Sequence, residues 1–251
     1  MPPDAADAPR GGAFDGSSPE PIYRGLRLAL MRGDVRPGER MVVKRLADAF
    51  GSGTLPVRHA LQRLVGEGAL SDEPFRGARV PIRSVDELLD LRRVRCAVEG
   101  QAAEWATGAL TGADMERLHA LQAAMRSVHE AGQAEHYLDW NFEFHFTLYG
   151  AAGSPLLIPL IERLWLRAGP YLNTMRTDLT LGAGLDTHDM LLDALARGDA
   201  AAARQAVEAD ISDATATMIR ALTEDPERTT RPRRTDARRE TETNAQREVS
   251  Q

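Results

Sequence analysis

Residues 43–68 read VKRLADAFGSGTLPVRHALQRLVGEG. Two short helical patterns meet here across a glycine turn. In the first, Leu46, Ala47 and Phe50 share one side of a helix from about Val43 to Phe50. Gly51-Ser52-Gly53 then breaks the pattern, since both residue types favour turns. The second helix runs from about Leu55 to Glu67, with Val57, Leu61, Leu64 and Val65 facing inward. Pro56 falls near its start, where a missing N–H costs nothing, and Gly68 stops it. Upstream, Ile22, Leu26, Leu28, Ala29 and Leu30 mark another helix, broken by Gly33-Asp34 and Pro37-Gly38. Downstream, Ala69-Leu70-Ser71 and Ala78-Arg79-Val80 read as two strands around the turn Pro74-Phe75-Arg76-Gly77.

Helix, glycine turn, helix and hairpin form the layout of a winged helix-turn-helix over residues 19–82. An α-helix fits the major groove of duplex DNA and meets base edges with its N-terminal side chains. A hairpin beside it reaches the neighbouring backbone or minor groove. Charge agrees with a polyanionic partner at this end only. From Pro21 to Ile82 there are 11 Lys/Arg against 6 Asp/Glu, and from Ser84 to Leu222 there are 11 Arg against 20 Asp/Glu.

Residues 84–222 carry helical patterns throughout. Ser84 with Glu87 three residues on is a capping box, and Leu88, Leu91, Val94, Arg95 and Val98 follow at helical spacing. Further helices are expected at about 112–131, 134–151, 154–175, 183–197 and 199–222, punctuated by Gly153, Gly182, Gly184 and Gly198. The fold class expected is mainly α. Residues 1–18 and 223–251 are expected to be a disordered arm and tail, because neither holds enough apolar surface to offset the entropy of ordering.

Composition narrows the function. The 251 residues are 43% hydrophobic but only 5% aromatic, so the core must be built of Leu, Val, Ala and Met. Cys96 is the only cysteine, which rules out an internal disulfide and suits a reducing compartment. No stretch approaches the roughly 20 apolar residues that span a bilayer, and the first residues lack a signal core. These features predict a cytoplasmic protein with no membrane partner. No G-x-S-x-G, H-E-x-x-H or phosphate-binding glycine loop is present, which argues against an enzyme. Two other classes compete with a DNA-binding regulator: a metal-dependent helical enzyme and a helical adaptor that ignores DNA. The basic front argues against the adaptor.

Several short elements recur in an order that resembles the GntR family of bacterial regulators. They are Arg36-Pro37-Gly38-Glu39-Arg40, Leu46-Ala47, Gly51, Pro56-Val57-Arg58, Ala60-Leu61, Arg63-Leu64, Glu67-Gly68 and Arg76-Gly77. The resemblance implies a homodimer that binds a palindromic double-stranded DNA operator. It points to Lys44 and Arg58 as DNA contacts and to Arg76 and Gly77 as the wing tip. Thr54 stands where the family usually carries a guanine-reading arginine, so the usual operator is not implied.

The rear block resembles the FadR branch of that family. The carrying residues are Leu91-Arg92, Arg95 with Glu99, Phe144-His145, the turn Ala151-Ala152-Gly153-Ser154-Pro155-Leu156-Leu157, His188, and Gly198-Asp199. This branch implies an antiparallel all-α bundle around a cavity that binds a small carboxylate effector, often beside a divalent metal. Its usual ligands, one Asp and three His, map onto Asn141, His145, His188 and Asp210. Asn replaces the family Asp, and Asp210 replaces the last family His. Asn141 and His145 are four residues apart and share a helix face, whereas Asp139 points elsewhere. Two nitrogens and two oxygens suit Zn, Ni or Mn. A metal-free polar pocket is the alternative. Arg95 is a candidate fork for the effector carboxylate or, equally, the partner of Glu99 one turn on. His119, His129 and His136 are expected to face solvent, and Trp105, Trp140 and Trp165 to pack.

Overall fold

The computed structural model describes residues 18–73, 77–131, 136–174 and 182–224. Helix α1 (Pro19–Met31) begins where Ser18 Oγ accepts a hydrogen bond from Glu20 N, with Pro at its first position. The rest of the expected arm, residues 1–17, lies outside the described residues. Ile22, Leu26 and Leu30 are buried, and α1 packs against both α3 and α7.

Strand β1 (Arg40–Met41), α2 (Val43–Ala49), α3 (Thr54–Gly66), β2 (Ser71–Glu73) and β3 (Gly77–Arg79) complete the front. Ala47 of α2 and Val57, Leu61 and Leu64 of α3 are buried, as the periodicity predicts; Ala60 is buried as well, while Leu46, Phe50 and Val65 are half-buried. Gly51 adopts φ +59°, the left-handed conformation that lets the chain reverse between the helices.

The wing differs from expectation in two respects. It is a three-stranded antiparallel sheet in the order β1-β3-β2, with Met41 opposite Ala78 and Glu73 opposite Gly77. A two-residue strand shows no alternation, so β1 left no sequence signal. The first hairpin strand also lies two residues later than expected. Ala69 and Leu70 belong instead to the turn off α3, their amides donating to Leu64 O at 3.0 and 3.3 Å.

The rear is all helix: α4 (Val85–Ala106), α5 (Gly112–Glu130), α6 (Tyr137–Ala151), α7 (Leu157–Leu172), α8 (Gly182–Ala196) and α9 (Ala200–Glu224). The capping box of Ser84 and Glu87 forms, and Thr111 with Asp114 makes a second one. α7 starts at Leu157 rather than 154, with Ser154 Oγ accepting from Leu157 N. Thr223 and Glu224, expected in the tail, extend α9. α4 packs along α9, α9 on α8, and α5 on both α6 and α8. Trp165 is buried, but Trp105 is 51% exposed and so does not pack as expected.

Front and rear meet where α1 and the turn after it rest on α6 and α7. Arg27 pairs with Glu162 at 2.8 Å, and Arg32 lies 3.7 Å from Asp139 and 3.9 Å from Glu143. Asn173, at the end of α7, donates to Gly33 O and accepts from Arg36 Nε.

Candidate nucleic-acid interface and metal centre

The outer face of α2 and α3 is polar and cationic. Lys44 and the neighbouring Arg45 are exposed on α2, and Thr54, Arg58, His59 and Gln62 are exposed on α3. Thr54 is the first residue of α3, and Leu55 beside it is 63% exposed. The helix N-terminus adds unsatisfied N–H groups and a partial positive charge, both suited to phosphate. Gly77 opens β3 with φ +87°, a conformation that a side chain would strain. Arg76 lies outside the described residues. Arg45 was not singled out in the sequence, although its place next to Lys44 was the available signal. Arg40 on β1 is likewise exposed and pairs with Glu73 at 3.4 Å.

The second site lies inside the bundle. A cavity is lined by Arg95 of α4, Tyr137, Asn141 and His145 of α6, Trp165 and Leu172 of α7, and Asp210 of α9, among others. His188 of α8 reaches the same place. His145 Nε2 stands 3.3 Å from Asp210 Oδ2, and His188 Nε2 stands 3.6 Å from Asp210 Oδ1. One ligand atom from each of the three lies within 4.8 Å of the others. Of the four expected metal ligands, the fold brings three into mutual reach and sets Asn141 on the wall of the same cavity.

Burial holds His188 well below the ordinary imidazole value, at about 4, so it is neutral near pH 7. Burial alone would raise the Asp210 carboxyl. The two imidazoles and the Thr187 hydroxyl outweigh that and bring it to about 2, so it is ionised. Burial, together with the Asp210 charge, pushes the Tyr137 phenol upward, so it stays a neutral donor.

These residues fit a cation. His188 Nε2 is fully buried and has no hydrogen-bond partner among the described residues. It faces an anionic oxygen rather than a donor. A buried lone pair beside a carboxylate is costly unless something positive lies between them.

Arg95 is committed. Its Nε donates to Glu99 Oε1 at 2.6 Å and its Nη2 to Glu99 Oε2 at 3.2 Å. Glu99, wholly buried, also accepts from Tyr149 Oη and Trp165 Nε1, each at 2.8 Å. Burial works against the Arg95 charge, and Glu99 more than restores it. Of the two roles the sequence left open for Arg95, the structure displays the ion pair. His119 and His136 are exposed and His129 is half-buried.

Comparison with known proteins identifies the two units that carry these candidate sites. Residues 19–80 match the family model of the bacterial regulatory proteins, gntR family, and residues 90–213 match that of the FCD domain. The HTH-type transcriptional regulator McbR of Escherichia coli (strain K12) is 32% identical over 181 residues, spanning 71% of this chain and 82% of McbR. The chain belongs to the gntR family. Its helix-turn-helix is therefore of the kind that binds DNA, and the bundle is an FCD domain. Another gntR-family relative is the HTH-type transcriptional repressor GlaR of E. coli (strain K12), 32% identical over 174 residues, covering 66% of this chain and 79% of GlaR. The solved structure of E. coli McbR/YncC superposes with a TM-score of 0.76 at 28% identity, covering 81% of this chain and 98% of that one. A GntR regulator from Rhodococcus sp. RHA1 shares the fold, with a TM-score of 0.66 at 23% identity. Among the described residues, no helix is long and apolar enough to cross a membrane.

Proposed function

We propose that this chain is a dimeric, cytoplasmic transcription regulator of the FadR branch, whose grip on its operator is set by a small carboxylate in the rear cavity. The DNA-binding unit is residues 19–82 and the effector-binding, dimerising unit is residues 84–222. One observation carries the reading: an exposed helix N-terminus with Lys44 and Arg58 nearby stands on a unit braced against the helices that line a polar, buried cavity.

Two copies related by a two-fold axis would place their α3 helices in successive major grooves about one turn apart. Arg58 and Thr54 would meet the groove, Lys44 a phosphate, and the wing at Gly77 the adjacent minor groove. With threonine at position 54, the operator differs from those read through an arginine there.

In the cavity, His145, His188, Asp210 and Asn141 would hold a divalent cation, Zn, Ni or Mn, which supplies the positive charge on which a carboxylate docks. Arg95, tied to Glu99, forms a rigid polar wall of the cavity. Tyr137 and Asn141 offer hydrogen bonds to the effector's polar atoms. The neutral His188 and the ionised Asp210 leave the site ready for a cation at pH 7.

Signal transfer follows the packing. α6 carries Asn141 and His145 on its inner face and Asp139 and Glu143, beside Arg32, on its outer one. α7 carries Trp165 and Leu172 inward, and its end cap Asn173 holds Gly33 and Arg36. An effector that prefers one placement of α6 and α7 thereby shifts the seat of α1, and with it the spacing of the two α3 helices. The test is selection of bound duplexes from a random pool, followed by operator titration with and without a panel of small carboxylates and Zn²⁺. The reading requires a selected sequence with two-fold symmetry and at least one carboxylate that changes its affinity. No enriched sequence would defeat it.

A further inference from the structure

The four candidate ligands lie on α6, α8 and α9. α5 contributes none, yet one of its side chains is buried against the centre. Gln122 lies on the inner stripe of α5 between Leu118 and Met125 and is 5% exposed. Its amide makes three contacts that fix its orientation. Nε2 donates to Leu185 O at 2.9 Å and to Asp189 Oδ1 at 2.8 Å. A carbonyl and a carboxylate only accept, so the nitrogen must face them and Oε1 must point the other way. Oε1 lies 3.2 Å from His188 Nδ1.

That arrangement decides the tautomer of His188. An amide oxygen has no proton to give, so the contact is a hydrogen bond only when Nδ1 carries the hydrogen. Nε2 is then the lone-pair atom. It is the same buried, unpartnered Nε2 that faces Asp210 Oδ1 at 3.6 Å. The chain of contacts continues outward, since Arg126 Nη2 bonds Asp189 Oδ2. Phe144 stacks on the His188 ring with centroids 4.4 Å apart and holds its plane.

We propose that Gln122 is a positioning residue for the metal centre: it holds the His188 proton on Nδ1, so that Nε2 meets the cation without first shedding a hydrogen. Asp189 and Arg126 in turn hold Gln122. The inference rests on the cation site argued above. Outer partners of metal-bound imidazoles fix ring orientation and tautomer, and their loss weakens metal binding by about 10- to 100-fold. Among the described residues, the contact with Gln122 is the one hydrogen bond that His188 makes, Asp210 Oδ1 standing farther off at 3.6 Å.

The experiment uses the full chain, stripped of metal, with ¹⁵N-labelled histidine. Long-range proton–nitrogen spectra report which His188 nitrogen carries the hydrogen, with His188→Gln for assignment. Zn²⁺ alone is then titrated in competition with a chelator of known affinity. Wild type is expected to show the hydrogen on Nδ1. Gln122→Leu is expected to lose that fixed tautomer and to bind Zn²⁺ about 10- to 100-fold more weakly. Wild type with its hydrogen on Nε2 overturns the proposal, as does a Gln122→Leu protein with unchanged tautomer and Zn²⁺ affinity. If Gln122→Leu does not fold, the wild-type spectrum decides. A wild type that shows the Nδ1 hydrogen but takes up no Zn²⁺ upholds the role of Gln122 in setting the tautomer and defeats only the metal reading.

Discussion

Gly169 of α7 sits directly beneath Leu30 at the end of α1, so close that a Cβ on it would collide with Leu30 O and come within 2.8 Å of Met31 Cα. The neighbouring atoms are backbone and cannot swing aside. This glycine lets the helix-turn-helix end lie flush on the FCD bundle, one turn from Leu172 on the cavity wall.

Gly169→Ala should therefore cost about 1–3 kcal/mol by overpacking. Gly150→Ala, on an exposed part of α6 with open space around it, should be neutral or stabilise by up to about 1 kcal/mol. Denaturant unfolding of the two variants measures the contrast. Equal stability would mean that α1 does not rest on α7 as described.

Arg95→Met should destabilise by about 3–5 kcal/mol, because it leaves Glu99 charged and buried without its cation. Arg95→Met with Glu99→Gln should recover a large part of that loss. Urea unfolding of the single and double variants closes the cycle. Additive losses would show that the two side chains do not interact.

Cys96 lies half-buried between α4 and α9, with Sγ 3.7 Å from Glu208 O. Burial is the main cause of a thiol value above the ordinary one, so less thiolate exists at any given pH. Alkylation near pH 7.5 should be markedly slower in the native protein than in denaturant, and should speed up as pH rises. A native rate equal to the denatured one would contradict this placement.

Arg32→Ala and Asn173→Ala remove contacts between the turn after α1 and the bundle without touching the cavity. Each should leave Zn²⁺ affinity within a few-fold of wild type. Each should also reduce the change in operator affinity that a bound carboxylate causes. Isothermal titration with Zn²⁺ and anisotropy with labelled operator separate the two effects. An undiminished response would place the coupling elsewhere.

The front was legible because its signals are local. The inner stripe of α3 and the turn at Gly51 each depend on residues close in sequence. β1 was not, since two residues carry no period and its pairing with β3 spans nearly forty positions. In the bundle, the succession of helices and the Ser84–Glu87 cap could be read directly, but the Thr111–Asp114 cap and the meeting of polar side chains could not. His145, His188 and Asp210, candidate ligands by resemblance alone, are brought together by the fold. Gln122 went unnoticed although it left a trace: a polar residue on the stripe Leu118, Leu121, Met125, Val128. The spacing of Glu99 from Arg95 shows one partner one turn away, but it does not reveal that Tyr149 and Trp165 converge on Glu99 from two other helices.

The most direct test of the whole account is the salt dependence of binding to a selected operator, compared for wild type and Arg58→Ala. Wild-type affinity should fall linearly on a log–log plot as phosphate-bound counterions are released. Arg58→Ala should bind more weakly by about 1–3 kcal/mol if the side chain reads a base, or with a slope shallower by about one if it contacts phosphate. Identical curves for the two proteins, or no operator enriched at all, would contradict the claim that α3 enters the groove.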